Sequence, residues 1–262
     1  MDTPRDTAAR NRLPQRLQGW LGALRSMAIY WRPGRQAGLR RLYAEFVRPG
    51  DLVFDIGAHI GDRTRAFAAL GARVIALEPQ PQILRLLRKA TSRLPGVRIR
   101  REAVGPENGT AQLEVSRSTP TVSSVSRRFT REIAKRNRSF RKVTWDDQVA
   151  VPMVTLDQLI AEHGLPAFCK IDVEGLEAEV LRGLSQPVPA LSFEFVAGAE
   201  EVTEECLSQL AALGDYEYNL IVGEQRRFQF HTWQTAEAVR AWLDQHVARV
   251  GSGDIYARLR GT

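Results

Sequence analysis

Sulfur is scarce in this chain. Its 262 residues include two cysteines, Cys169 and Cys206, far apart and in no C-x-x-C pattern. That argues against a disulfide framework or a cysteine-based metal site. Both thiols read as core residues: Cys169 lies in an apolar strand, and Cys206 on the stripe Val202, Cys206, Leu210, Leu213. The four histidines, His59, His163, His231 and His246, show no metal-ligand spacing. No stretch approaches the ~20 apolar residues that span a bilayer. The opening "MDTPRDTAARNR" lacks the apolar centre of a signal peptide, so a cytoplasmic location is expected. No internal repeat is visible, and the length suits one sizeable core with an extra segment.

What the chain does have is positive charge in two places. The net charge is +7, and residues 1–50 hold ten arginines against three acids. Residues 117–142 hold nine basic residues against the single acid Glu132. Two cationic segments imply an anionic partner: an acidic or phosphorylated substrate, a lipid surface or RNA. Residues 1–48 read as a basic, helical N-terminal extension. Its apolar positions Leu13, Leu17, Trp20, Leu21, Leu24, Met27 and Ile29 sit among arginines and stop at Pro33-Gly34. Packing on the main domain, 49–262, is one role for it, and peripheral contact with a membrane is another.

From Gly50 onward strands and helices alternate. The pattern predicts strand 51–56, helix 60–70, strand 73–78, helix 80–92 and strand 97–101. An irregular insert follows, with strand 112–116, the basic run "SRRFTREIAKRNRSFRK" and strand "VAVPMV". Thr155 and Gln158 form a T-x-x-Q capping box at the next helix. Then come strand 167–173, helix 176–183, strand 190–196, helix 200–213, strand 216–222, helix 235–248 and strand 254–259. Such alternation predicts a doubly wound, mostly parallel α/β sheet with its ligand off the strands' carboxyl ends.

The run "FDIGAHIGDR", residues 54–63, is a strand, a glycine turn and a helix start. A dinucleotide turn would read G-x-G-x-x-G, with pyrophosphate on the helix N-terminus. Here the pattern is Asp55-x-Gly57-x-x-x-Gly61. A carboxylate at 55 would repel pyrophosphate, whereas a ligand carrying an ammonium and a sulfonium would be attracted to it. S-adenosylmethionine (SAM) is such a ligand. Glu78, at the end of "RVIALE", stands where a side chain can accept hydrogen bonds from both ribose hydroxyls. The competing structural reading makes Asp55 and Glu78 loop caps.

A second informative run is "FCKIDVEGLEAEVLRGL", residues 168–184. A central parallel strand should be nearly all apolar. Lys170, Asp172 and Glu174 break that rule at alternate positions, and they point together if the strand continues that far. Buried charges are costly unless paired, so this is either a structural ion network or a site. Glu177 and Glu179 read as the solvated face of the next helix. Glu194, at the carboxyl end of "LSFEF", is placed to hold acceptor hydroxyls.

These pieces together resemble the FkbM family of SAM-dependent methyltransferases, through "VFDIGAHIG", "ALEP", "EAVG", "VTLDQL", "KIDVEGLEAEVLRG" and "LSFEF", from Asp51 to Val196. The resemblance implies a Rossmann-like class I methyltransferase fold, seven-stranded with one antiparallel strand near an edge. It also implies O-methylation of a sugar, glycoconjugate or other small hydroxylated metabolite. By it, Asp55, Gly57 and Gly61 would hold the methionine part of SAM, and Glu78 the ribose. Glu102 and Ala103 would lie by the adenine, and Asp172 would face the methyl group. His59 departs from the family's usual Asn, and a ring nitrogen there could replace an amide hydrogen bond. Ser123 and Ser124 correspond to a serine pair common in the family and are assigned to the acceptor.

An alcohol acceptor needs its proton removed, and Asp172 and Glu174 are the candidate bases, with Lys170 orienting them. A divalent ion at Asp172 would lack a second clear ligand cluster. Three other readings stay open. An RNA methyltransferase is suggested by the arginines, but no [N/D]-P-P-[Y/F] motif follows the fourth strand. The others are a SAM-binding module without catalysis and an NAD-dependent enzyme.

Overall fold

The computed structural model describes residues 34–115, 123–124 and 147–261, with side chains described for all of them except 114–115, 123–124 and 147. The amphipathic stretch before Gly34 and the basic run 126–142 lie outside the described residues.

The apolar runs that read as strands pair into one sheet. β1 (Leu52–Ile56), β2 (Arg73–Leu77), β3 (Val97–Arg100), β8 (Phe168–Ile171) and β9 (Ala190–Val196) are parallel. β11 (Ser252–Leu259) inserts antiparallel between β9 and β10 (Tyr216–Val222). The order is β10-β11-β9-β8-β1-β2-β3, so the chain winds outward in opposite directions from the β1–β8 junction. That junction is a topological switch point, where a cleft opens beyond the strand ends.

A second sheet was not foreseen. β4 (Ala103–Val104), β5 (Gly109–Val115), β6 (Ser123–Ser124) and β7 (Asp147–Val154) form it in the order β4-β7-β5-β6. The two strands expected in the insert turn out to be paired with each other, antiparallel from Gly109↔Met153 to Val115↔Asp147.

Helices cover both faces of the main sheet. α1 (Arg35–Tyr43), α2 (Asp62–Ala69) and α3 (Pro81–Thr91) pack on one face through Leu39, Tyr43, Phe67 and Leu87. α4 (Leu156–His163), α5 (Glu177–Arg182), α6 (Glu200–Leu213) and α7 (Ala236–Val250) cover the other. Cys169 and Cys206 are free thiols buried in that second core. Thr155 caps α4, its hydroxyl accepting the Gln158 N–H at 3.0 Å. Only this arm of the capping box forms, because the Thr155 N–H donates to Asn108 Oδ1 at 3.0 Å instead.

α1 follows Gly34, whose left-handed φ of 83° turns the chain into the helix. Tyr43 is fully buried against Phe67, ring centroids 4.4 Å apart, and Phe168, at 5.6 Å. This helix is thus continuous with the sheet's core.

Candidate functional site

The two-residue period of a strand decides which side chains meet here. In β1, Phe54 and Ile56 face the core under α4–α7, so Val53 and Asp55 face α2. In β8, Cys169 and Ile171 take that same core, which turns Lys170 toward α2 beside Asp55, its register partner. Glu194 of β9 and Asp254 of β11 are likewise register partners. Four ionisable side chains near the strand ends are thereby gathered on the α2 side of the sheet. Beyond them lies one cleft lined by Asp55, Gly57, Glu78, Asp172, Glu194 and Asp254, among others.

The turn after β1 is shaped by what glycine permits. Gly57 has φ 75°, and a Cβ on it would collide with the backbone carbonyl oxygen of Asp172. The β1 and β8 loops can therefore touch only without a side chain at 57. Gly61, at φ 84°, begins α2 where a Cβ would lie 2.7 Å from Leu87. His59 also has a positive φ, 50°, and its backbone N–H donates to Glu78 at 3.0 Å. The other Glu78 oxygen accepts from Gln80 N–H at 2.9 Å. One carboxylate thus ties the two cofactor-side loops together.

Below the turn, Asp55 is buried and accepts from the Thr64 hydroxyl at 2.5 Å. Burial pushes its pKa up to about 6, against the Thr64 bond and the nearby Arg63 and Lys170 charges. Burial also raises Glu78 to about 7, partly offset by its two backbone donors. Burial lowers His59 to about 4, so its ring is neutral at physiological pH.

On the other wall β8 ends at Ile171, so the Lys170, Asp172, Glu174 alternation is not completed on a strand. Glu174 sits at φ 55° and Gly175 at φ 91°, and the chain turns there into α5. Glu177 makes this turn. It was read from sequence as part of a solvated face, and that reading is wrong. Glu177 is buried, and its carboxylate folds back to accept the N–H groups of Val173 (3.1 Å) and Gly175 (3.3 Å). Glu179 is the solvated one, paired with Arg182.

Lys170 does not line the cleft. It is fully buried beneath it, donating to Asp254 at 3.0 Å, Asp172 at 3.2 Å and the Ile171 carbonyl at 3.3 Å. Burial opposes its charge, but the two carboxylates outweigh burial and hold its pKa above the ordinary value. Asp172 feels the reciprocal effect: burial would raise it, yet Lys170 and Arg63 keep it below the usual carboxylate range. For Glu174 burial and the Asp172 and Glu177 charges outweigh the pull of Lys170 and push its pKa up to about 8. Glu194 is also raised well above its ordinary value by burial and by Asp172.

Most of the residues named from sequence meet in this cleft: Asp55, Gly57, His59, Glu78, Glu102, Ala103, Asp172, Glu174 and Glu194 line it. Glu102 is held by Arg100 through two bonds, 2.7 and 3.1 Å. Gly61 shapes the turn without lining the cleft. Ser123 and Ser124 pair with β5 through their backbone, and their side chains lie outside the described residues. Among the lining residues that the sequence reading did not single out are four charged ones, Asp62, Arg63, Glu224 and Asp254. Arg63 belongs to no motif that the sequence displays, and Asp254 lies 84 positions from Lys170. Among the described residues, no group of three or more His, Cys, Asp or Glu stands close enough to hold a metal ion.

The chemistry of the lining suits SAM. The glycine contact at 57 lets a ligand approach the backbone, Glu78 has acceptor capacity left on both oxygens, and the acidic walls favour a sulfonium and an ammonium. A doubly wound seven-stranded sheet with its antiparallel β11, an acid near the end of β1 and another just after β2 defines a Rossmann-like class I methyltransferase fold. Residues 55–250 match the Methyltransferase FkbM domain, and the chain belongs to that family.

Among curated proteins the chain is similar to the hexuronic acid methyltransferase AglP of Haloferax volcanii, 26% identical over 159 residues. The match covers 60% of this chain and 59% of that relative's length. A TehB-like SAM-dependent methyltransferase from Corynebacterium glutamicum is 10% identical, with a TM-score of 0.48 over 93% of this chain and 97% of its own. Fibrillarin from Aeropyrum pernix, solved with natively bound SAM, is 12% identical, with a TM-score of 0.42 over 81% of this chain and 68% of its own.

Proposed function

We propose that this protein is a SAM-dependent methyltransferase that methylates a hydroxyl on a sugar, glycoconjugate or other small metabolite. The observation that carries the proposal is the juxtaposition of two walls. One is the acid-and-glycine turn of Asp55, Gly57 and Glu78; the other presents Asp172, Glu174 and Glu194 across the same cleft. Family membership supports it, and the hexuronic acid methyltransferase relative favours a sugar acceptor.

In this reading Asp55, Gly57, His59 and Gly61 shape the seat for the methionine part of the cofactor, Glu78 takes the ribose, and Glu102 and Ala103 flank the adenine. SAM supplies an electrophilic methyl group. The protein holds the acceptor oxygen in line with that methyl, and alignment supplies much of the acceleration. Asp172, kept ionised by Lys170 and Arg63, orients the acceptor hydroxyl. Glu174, with its pKa near 8, is the better matched of the two to take the proton near neutral pH. Glu194, Ser123 and Ser124 are assigned to the acceptor.

Nine of the described cleft-lining residues are Asp or Glu, against one arginine, Arg63. That weighs against RNA or any polyanion in the cleft. An anionic acceptor is retained in narrower form: one acidic group on a sugar, or a neutral sugar presented at an anionic surface to the cationic segments. No helix among the described residues is long and apolar enough to cross a membrane. A cytoplasmic enzyme, with peripheral membrane contact through the basic N-terminal segment, is the placement we propose.

The test is incubation with methyl-labelled SAM and fractionated cell extract, with the product identified by mass spectrometry. A labelled sugar or glycoconjugate methyl ether supports the reading. Label in RNA alone, or in no fraction, contradicts it.

A further inference from the structure

We infer that Arg63 is the carboxylate-binding residue of this cleft. The inference rests on the methyltransferase reading above and adds a ligand group that none of the assignments so far has met. A guanidinium carries five N–H donors. Arg63 is four-fifths buried, with 19% of its side chain exposed, and its closest ion-pair contact is Asp254 at 3.6 Å, beyond hydrogen-bond reach. Its Nε is buried and has no hydrogen-bond partner. The nearer claim on Asp254 belongs to Lys170, at 3.0 Å. Arg63 therefore keeps its charge among acids without committing its donors to any of them. Burial opposes that charge, while Tyr43, Asp254 and Asp172 raise its pKa well above the ordinary value.

Other cations at the site are used differently. Arg35 is bound to Asp62 at 2.5 Å and to Glu224 at 3.0 Å, and Arg100 holds Glu102 in a fork. These are structural clamps between protein groups. Arg63 lines the cleft and lies close enough to Asp55, Asp172 and His59 to affect the charge of each. It is the one Lys or Arg among the described lining residues. A planar fork with unspent donors is the group that recognises a carboxylate bidentately. Two ligands of the proposed reaction can bring one: the amino-acid end of the cofactor, and an acidic sugar acceptor.

Calorimetric titration separates these sources. The probes are S-adenosylhomocysteine, which has the amino-acid end, and 5′-methylthioadenosine, which lacks it. Saturation-transfer NMR with methyl glucuronoside and methyl glucoside, on protein saturated with S-adenosylhomocysteine, reads the acceptor side. If the carboxylate is the cofactor's, Arg63→Gln weakens S-adenosylhomocysteine by about 10-fold or more and leaves 5′-methylthioadenosine unchanged. If it is the acceptor's, both nucleosides bind as before, and the glucuronoside loses its signal while the glucoside does not.

Either pattern supports the inference. A folded Arg63→Gln protein with all four probes unchanged overturns it. Should that variant not fold, Arg63→Lys decides: it keeps the charge but loses the fork, so a carboxylate-bearing probe must weaken, and no change overturns the inference. Wild-type protein that binds neither nucleoside overturns the methyltransferase reading itself, and this inference with it.

Discussion

The two walls of the cleft are built on different principles. The β1–β2 wall is local: Asp55, Gly57, His59 and Glu78 lie within 24 residues, and backbone geometry positions them. Its central contacts are a glycine against a carbonyl and a carboxylate against two N–H groups. The β8–β11 wall is assembled at long range, with Lys170 between Asp172, just past the end of β8, and Asp254 of β11. Its central contacts are charges in a buried setting. A wall made of backbone should fail abruptly when its shape is altered, whereas one made of charges should fail in rate and pH response.

Gly57→Ala should have the largest effect. The left-handed φ costs on the order of 1–3 kcal/mol for a non-glycine residue, and the added Cβ meets the Asp172 carbonyl besides. We expect a lower Tm together with loss of measurable S-adenosylhomocysteine binding by calorimetry. Retained affinity would mean that the two loops can separate without harm.

Asp172→Asn comes next and strikes the other wall. It keeps the side chain's size while removing one of the two anions that hold Lys170. Single-turnover rates on the identified acceptor should fall by about 10²-fold through lost positioning of the hydroxyl, with S-adenosylhomocysteine affinity changed far less. Glu174→Gln tests the proton acceptor. If Glu174 takes the proton, the wild-type rate rises with pH through about 8 and the variant loses that rise. Wild-type rates in both amide variants, with the fold intact, would make the carboxylates structural.

Asp55→Ala should weaken SAM by roughly 10–100-fold through loss of a buried carboxylate. The acceptor's KM should stay near its wild-type value. An equal rise in both constants would erase the distinction between the walls.

The smallest expected effect is on stability against pH. Asp55 rises to about 6, and Glu78 and Glu177 to about 7, from ordinary values of 3.8 and 4.5. The folded chain therefore holds these protons more tightly than the unfolded one. Their contribution is fully present below the ordinary values and is lost as pH rises through 6 to 7. Unliganded Tm should decline over that window, and the decline should flatten with SAM bound, because a cationic ligand favours the ionised acids.

Legibility in the sequence followed the same division. The local wall was readable because glycine spacing and a strand-ending acid are signals carried by neighbouring residues. On the distant wall, Lys170 and Asp172 could be suspected as charges breaking an apolar strand. Asp254 and Arg63 could not, since nothing in "SGDIYARL" or "GDRTRAF" says that the two segments meet. Glu177 was misread because helical periodicity counts exposure and does not see a side chain folding back on the preceding turn. The doubly wound, mostly parallel character of the main sheet was legible from alternation; the small second sheet was not, because its strands pair across a long insert.

The central claim is that the acidic glycine turn selects a sulfonium nucleoside over a dinucleotide. A thermal-shift titration of the full chain with SAM, S-adenosylhomocysteine and NAD tests it most directly. The account predicts a rise in Tm that grows with the concentration of SAM and of its demethylated product, by the linkage between binding and stability, and none with NAD. Equal shifts with all three ligands, or a shift with NAD alone, would contradict it.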